Sequence, residues 1–176
     1  MGTSAACNEP DARIVPTAVR IRTFTPADQQ VVRALVLAGL AEHWGEVDPT
    51  LNPDLDDIAS AYAHGCTLVT EVDGHVVGTG TVVPRDARTA ELVRMSVAAE
   101  RRGAGIGRHL VDALVARAAA WGNARVVLET TATWDDTVAF YRSCGFTVTH
   151  YDEGRFGRDA WFERVLDGGD GFGAPA

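Results

Sequence analysis

Arg101-Arg102-Gly103-Ala104-Gly105-Ile106-Gly107-Arg108 stands between an extended run, Leu92-Val93-Arg94-Met95-Ser96-Val97, and a segment whose apolar residues recur at helical spacing, Ile106, Leu110, Leu114, Ala118 and Trp121. Glycines at alternate positions leave the backbone bare, so several N–H groups can converge on one anion. The helix that follows adds its positive N-terminal end to the same point. Arg101, Arg102 and Arg108 flank the loop. A strand, a bare loop and a helix mouth in this order make a diphosphate cradle. It is not a dinucleotide fingerprint: Arg108 occupies the place of the third glycine in G-x-G-x-x-G, and no acidic residue follows about 20 positions on at a strand end. It is not a nucleotide-hydrolysing loop either, since that needs G-K-[ST] and the chain has no lysine.

Working outward, Val19 to Phe24 alternates as a strand. Thr25-Pro26 starts a helix, with Val31, Val32, Leu35, Val36 and Leu40 on its apolar side. A turn-rich stretch from His43 to Asp54 precedes a second helix over Pro53–Ala63. Thr67–Val72 and His75–Val83 read as a hairpin around Asp73-Gly74, and Ala90–Ala98 as the next strand. Gly122 ends the helix after the glycine loop. Ala124–Thr131 is a buried strand, Thr133 caps a further helix closed by Gly145, and Phe146–Tyr151 and Asp159–Leu166 are two last strands. The order β-α-α-β-β-β-α-β-α-β-β predicts an α/β fold with a central mixed sheet and helices on both faces.

At 176 residues the chain suits one domain, expected over 18–166, with flexible tails at 1–17 and 167–176. A net charge of −8 argues against a nucleic-acid binder. All 16 Lys plus Arg residues are arginine, so the chain has no lysine side chain of its own to modify. Cys7, Cys66 and Cys144 form neither a disulfide framework nor a metal pair, and the five histidines show no zinc spacing. No apolar run approaches the roughly 20 residues of a membrane span, and no signal-peptide pattern opens the chain. A cytoplasmic protein without metal or membrane partner is expected.

Arg102-x-x-Gly105-x-Gly107, the preceding strand, and Phe140-Tyr141-x-x-x-Gly145-Phe146 together resemble the GNAT (GCN5-related N-acetyltransferase) superfamily over about residues 19–166. The resemblance implies the GNAT fold and an enzyme, an acetyl-CoA-dependent N-acetyltransferase, that passes acetyl to a primary amine by direct attack in a ternary complex. It implies that the backbone of Arg102, Gly103, Ala104, Gly105, Ile106, Gly107 and Arg108 holds the diphosphate. It also implies that the main chain of Met95, Ser96 and Val97 pairs with pantetheine, and that Tyr141 serves the departing sulfur. Many relatives carry asparagine seven residues before that tyrosine; here the expected coenzyme contact is Trp134.

For the base, Glu91 is the candidate, six residues before Val97, and strand alternation would place it on the face of Met95 and Val97. Glu129 on the next strand is its rival. His43, Trp44 and Glu46 fall where relatives build the acceptor wall. With Glu42, Asp54, Asp56 and Asp57 nearby, that wall reads as negative and suited to a cationic small-molecule or peptide amine. Relatives often dimerise through late strands, so a homodimer stays open, and the sequence does not fix the oligomeric state. Two alternatives stay open: a non-catalytic acyl-CoA sensor, and transfer of a longer acyl group such as succinyl, whose carboxylate Arg94 or Arg155 could meet.

Overall fold

The computed structural model describes residues 19–154 and 157–166. The tails expected at 1–17 and 167–176, and Arg155, lie outside them. Seven strands form one sheet: β1 (Val19–Thr23), β2 (Cys66–Val72), β3 (His75–Pro84), β4 (Thr89–Val97), β5 (Arg125–Thr131), β6 (Thr147–Gly154) and β7 (Gly157–Val165). Their order is β1-β2-β3-β4-β5-β7-β6, antiparallel throughout except for β4 against β5. Among the described residues four α-helices accompany it: α1 (Gln29–Trp44), α2 (Ile58–Ala61), α3 (Ile106–Ala120) and α4 (Asp135–Ser143). The element order and the mixed sheet agree with expectation.

Neighbouring residues of β2 show that both faces are covered. Leu68 joins the cluster under α3, with Leu110, Leu114, Val126 and Phe162. Val69, one residue on, joins Val32 and Val36 of α1 and Leu55 and Ile58 near α2. Alternation along a strand sends successive side chains to opposite faces, so one sheet supports two cores. The Asp73-Gly74 turn has φ +52 and +80, the two positive values that a two-residue hairpin twisting with its strands demands.

Three local readings need correction. The helix expected over Pro53–Ala63 is a 3₁₀ turn (Pro53–Leu55) followed by the single turn of α2. Asp57 caps that turn through Ser60 N–H, and the break lets Leu55 and Ile58 both enter the core, 1% and 2% exposed. Trp121, expected on the apolar stripe of α3, is 40% exposed, because the helix ends there and Trp121 is its C-cap. Thr133 does not cap α4. Trp134 occupies the N-cap, without a side-chain cap bond, and Asp135 and Asp136 supply negative charge to the first turn instead.

Candidate active site

The three glycines of the loop have different jobs. Gly103 and Gly105 sit at φ +78 and +82, where an L side chain is strained. Gly107 lies inside α3, where a Cβ would come within 3.1 Å of the Phe140 ring, so its bareness brings α3 against α4. The result is a run of backbone N–H groups, Gly103 to Arg108, with no acceptor among the described residues. Unmade donors gathered at a helix N-terminus are an anion site. Two of the three flanking arginines, expected from the sequence as its free cations, are engaged elsewhere. Arg102 donates from Nη2 to Glu42 Oε1 (3.0 Å) and from Nε to the Val97 carbonyl (3.0 Å). Arg108 Nη2 reaches the carbonyl and hydroxyl of Ser143 at 2.8 and 2.9 Å. These two side chains brace the loop against α1 and α4, and its main-chain amides stay without acceptors among the described residues.

Beside the loop the sheet opens. β4 and β5 pair only at Thr89↔Arg125, Ala90↔Val126 and Glu91↔Val127, then part, leaving a gap edged by the remainders of both strands. At the same place β4 carries a bulge. Thr79 pairs with Ser96 and Thr81 with Val93, so Arg94 and Met95 together oppose Gly80. Arg94 takes φ +55 there. The extra residue shifts the phase of the strand, which corrects the expected placement of Glu91. Ala90, Leu92, Met95 and Val97 all face the α3 core. Glu91 therefore points to the opposite face, the side of α1. Met95 lies across Gly80, where a Cβ would collide with its sulfur. Ser96 donates to the Leu35 carbonyl of α1 at 3.0 Å.

The titratable candidates divide between the two faces. Tyr141 packs among Phe140, Phe146 and Phe162 on the α3 side, 7% exposed. Its hydroxyl makes no hydrogen bond to a described residue, and burial pushes its pKa up, so it stays a neutral donor. Glu91 and Glu129 sit on the other face, where the strands part. Glu91 is 3.9 Å from Arg85. The Glu129 carboxyl is raised above the usual carboxylate range, first by desolvation and then by repulsion from Asp159 and Glu91. Here α1 does not cover β5, β7 and β6. A groove of about 260 Å³ remains, lined by Arg85, Val127, His150 and Trp161 among others.

His43, Trp44 and Trp134 come together. His43 stacks on Trp134 at 3.9 Å between centroids, and Trp44 lies at 5.1 Å, so the end of α1 meets the start of α4. Glu46 is exposed. The negative wall expected from the sequence is largely neutralised: Glu42 pairs with Arg102, Asp54 with Arg94, Asp56 with Arg33, and Asp57 caps α2. Arg94 is thus committed inside the chain and does not await a second carboxylate. What sequence reasoning missed is the bulge, and with it the Arg94–Asp54 pair; a charged residue between apolar strand neighbours was its only trace. Among the described residues no group of three or more His, Cys, Asp or Glu could hold a metal, and no helix is long and apolar enough to cross a membrane.

A sheet parted beside a bare-amide helix mouth is the architecture of one acyl-transfer family, and comparison with known proteins agrees. The model of the acetyltransferase (GNAT) family matches residues 33–146, and the chain belongs to that family. It is 36% identical over 106 residues to the probable N-acetyltransferase family 8 member 5 of Mus musculus, covering 56% of this chain and 47% of that one. The chain spans about half the length of such mammalian relatives. It is 28% identical over 146 residues to the uncharacterised N-acetyltransferase YjgM of Escherichia coli K12, covering 78% and 87%. Among solved structures, a GNAT-family acetyltransferase of Staphylococcus aureus Mu50 superposes with TM-score 0.76 at 19% identity, covering 85% and 100%. One from Elizabethkingia anophelis, with acetyl-CoA bound, superposes with TM-score 0.63 at 16% identity, covering 84% and 98%.

Proposed function

We propose that this protein transfers the acetyl group of acetyl-CoA to a primary amine by direct attack within a ternary complex. The observation that carries the reading is the unbroken run of acceptorless N–H groups from Gly103 to Arg108, opening onto the β4–β5 gap. The diphosphate suits the amides, and an extended pantetheine arm suits unpaired strand edges, which would otherwise leave backbone groups without partners. The family's solved member with acetyl-CoA supports the choice of acyl donor.

In this reading the thioester lies in the gap, with Tyr141 on one face of the sheet and the carboxylates on the other. An amine of lysine-like pKa costs roughly 4–5 kcal/mol to deprotonate at pH 7. A carboxylate whose pKa is already raised is the better proton acceptor, so Glu129 takes this role and Glu91, held towards Arg85, keeps it company. The nitrogen then attacks the carbonyl carbon as the C–S bond breaks, and a main-chain N–H after the bulge stabilises the charge on oxygen. Tyr141 donates to the sulfur as it leaves. The acceptor approaches along the groove on the α1 side of β5 and β7. With most wall carboxylates already paired, its charge is read by Glu129, Glu91 and Asp159, and by Asp152 in the groove's lining.

A panel of small amines and peptide N-termini, read by release of free thiol from acetyl-CoA, tests this. Turnover with at least one amine is expected. Tight acetyl-CoA binding without thiol release across the panel would favour a sensor, and no binding at all would remove the reading altogether.

A further inference from the structure

One side chain ties the two halves of the site together. Arg94 occupies the bulge of β4 at φ +55, a strained conformation that a non-glycine residue keeps only where its surroundings hold it there. The holding groups are Asn52 and Asp54, from the segment between α1 and α2, and Tyr62, which caps the end of α2. Arg94 Nε donates to Asp54 Oδ2 at 2.7 Å and Nη2 to Oδ1 at 2.5 Å, a bidentate fork, while Nη1 donates to Asn52 Oδ1 at 2.9 Å. The Tyr62 hydroxyl donates to Asp54 Oδ2 at 2.6 Å. Asn52 is 8% exposed, and the Arg94 and Asp54 side chains 26% and 23%. Burial works against the Asp54 carboxylate, yet the hydrogen bonds from Arg94 and Tyr62 outweigh it and hold the group below its usual range. Nearby, Ser96 and the close approach of Gly39 press α1 itself onto β4; a Cβ on Gly39 would lie 2.8 Å from Ser96 Oγ. The wall between α1 and α2 is thus seated on β4 at both ends, and Arg94 is the pin at the end that carries the bulge.

We propose that Arg94 is a positioning residue for acetyl transfer: its fork on Asp54 locks the β4 bulge and the α1–α2 wall to each other. The donor edge, Met95 to Val97, and the acceptor wall are thereby held at one separation. The inference rests on the acetyl-transfer reading above, and it assigns the pair no contact with either substrate. A misplacement of the order of 1 Å is enough to cost a large factor in rate.

The full chain carrying Asp54→Asn, Arg94→Lys or Arg94→Met tests it. Acetyl-CoA affinity by calorimetry should stay within about twofold of wild type, while kcat falls at least about tenfold and KM for the amine rises. Arg94→Lys, which keeps the charge but not the fork, should fall between wild type and Arg94→Met. Hydrogen exchange should accelerate together in 48–57 and 92–97 of Asp54→Asn. If Arg94→Met does not fold, Asp54→Asn and Arg94→Lys decide. An unchanged kcat overturns the proposal. So does a loss of acetyl-CoA affinity and kcat together in step with melting temperature, or an exchange change confined to 48–57. A wild-type chain that turns over no amine fails the proposed function instead, and the paired exchange change alone then decides whether the two segments are locked.

Discussion

The imidazole of His43 lies flat on the indole of Trp134, centroids 3.9 Å apart and planes 13° from parallel. With Trp44 at 5.1 Å from the same indole, this contact joins the last turn of α1 to the N-cap of α4, two elements that approach the site from different cores. Such a pair is worth about 0.5–1.5 kcal/mol beyond the area it buries. A double-mutant cycle by chemical denaturation, with His43→Ala and Trp134→Ala, should return a coupling energy in that range. Additive effects would mean that the rings touch without holding the helices together.

Gly103 and Gly107 separate binding from folding. Nothing lies within 4 Å of a Cβ placed on Gly103, so Gly103→Ala acts only through its φ of +78, at a cost of about 1–2 kcal/mol. Relief of that strain turns the amides of the cradle, and acetyl-CoA affinity should drop about tenfold or more while the melting temperature shifts by a few degrees. Gly107→Ala pushes on the Phe140 ring instead, so its first effect is on stability. Calorimetry beside thermal melting checks both, and wild-type affinity in Gly103→Ala would remove the loop from coenzyme binding.

Tyr141→Phe deletes a hydroxyl that has no hydrogen-bond partner among the described residues. Stability should therefore hold, since no hydrogen bond to a described residue is lost. If the hydroxyl serves the departing sulfur, kcat falls on the order of a hundredfold with acetyl-CoA affinity unchanged. Steady-state kinetics with a calorimetric Kd would show it, and an unchanged kcat would leave Tyr141 as a packing residue.

Local signals carried the frame of this fold: alternation in β2 and β3, the Asp73-Gly74 turn, and glycines at 103, 105 and 145 whose positive φ the backbone uses. What stayed hidden is non-local. Glu91 and Met95 share parity in sequence but not a face, because the two-for-one pairing of Arg94 and Met95 against Gly80 depends on the partner strand. Likewise the run of acids after α1 looks like an open negative wall until Arg94 and Arg102, some 40 and 60 positions away, arrive to pair with Asp54 and Glu42. The stack of His43 on Trp134 is hidden for the same reason.

Glu129 gives a pH signature of its own. Desolvation, then Asp159 and Glu91, raise its pKa, so folding favours the neutral carboxyl. The ionised form costs stability once pH passes the ordinary glutamate value of about 4.3 and rises through the elevated one. Glu129→Gln should therefore melt no lower than wild type at neutral pH, with the difference closing in acid. As the base, Glu129 should also own the acidic limb of the kcat/KM profile: that limb should vanish in Glu129→Gln and survive in Glu91→Gln. The reverse pattern would hand the role to Glu91.

Asp28 shows the opposite sign, far from the site. Arg22 donates to both its carboxylate oxygens at 2.7 and 2.8 Å, and Thr25 adds its N–H at 2.8 Å and its hydroxyl at 2.9 Å. These bonds, those from Arg22 foremost, outweigh burial and draw the pKa down to about 2. The folded value lies below the unfolded one of about 3.9, so the contribution is complete above that pH and is lost as pH falls towards 2; two units correspond to about 2.5 kcal/mol. Arg22 also holds Glu71 at 2.7 Å, so the pair fastens β1, the start of α1 and β2 at one point. Asp28→Asn should lower stability at pH 7 by about 2 kcal/mol, a figure that urea unfolding can resolve. The gap between variant and wild type should stay level from pH 7 to about 4, then narrow and close near pH 2. A gap that persists unchanged into strong acid would mean that the shape of the side chain, and not its charge, fastens the two strands.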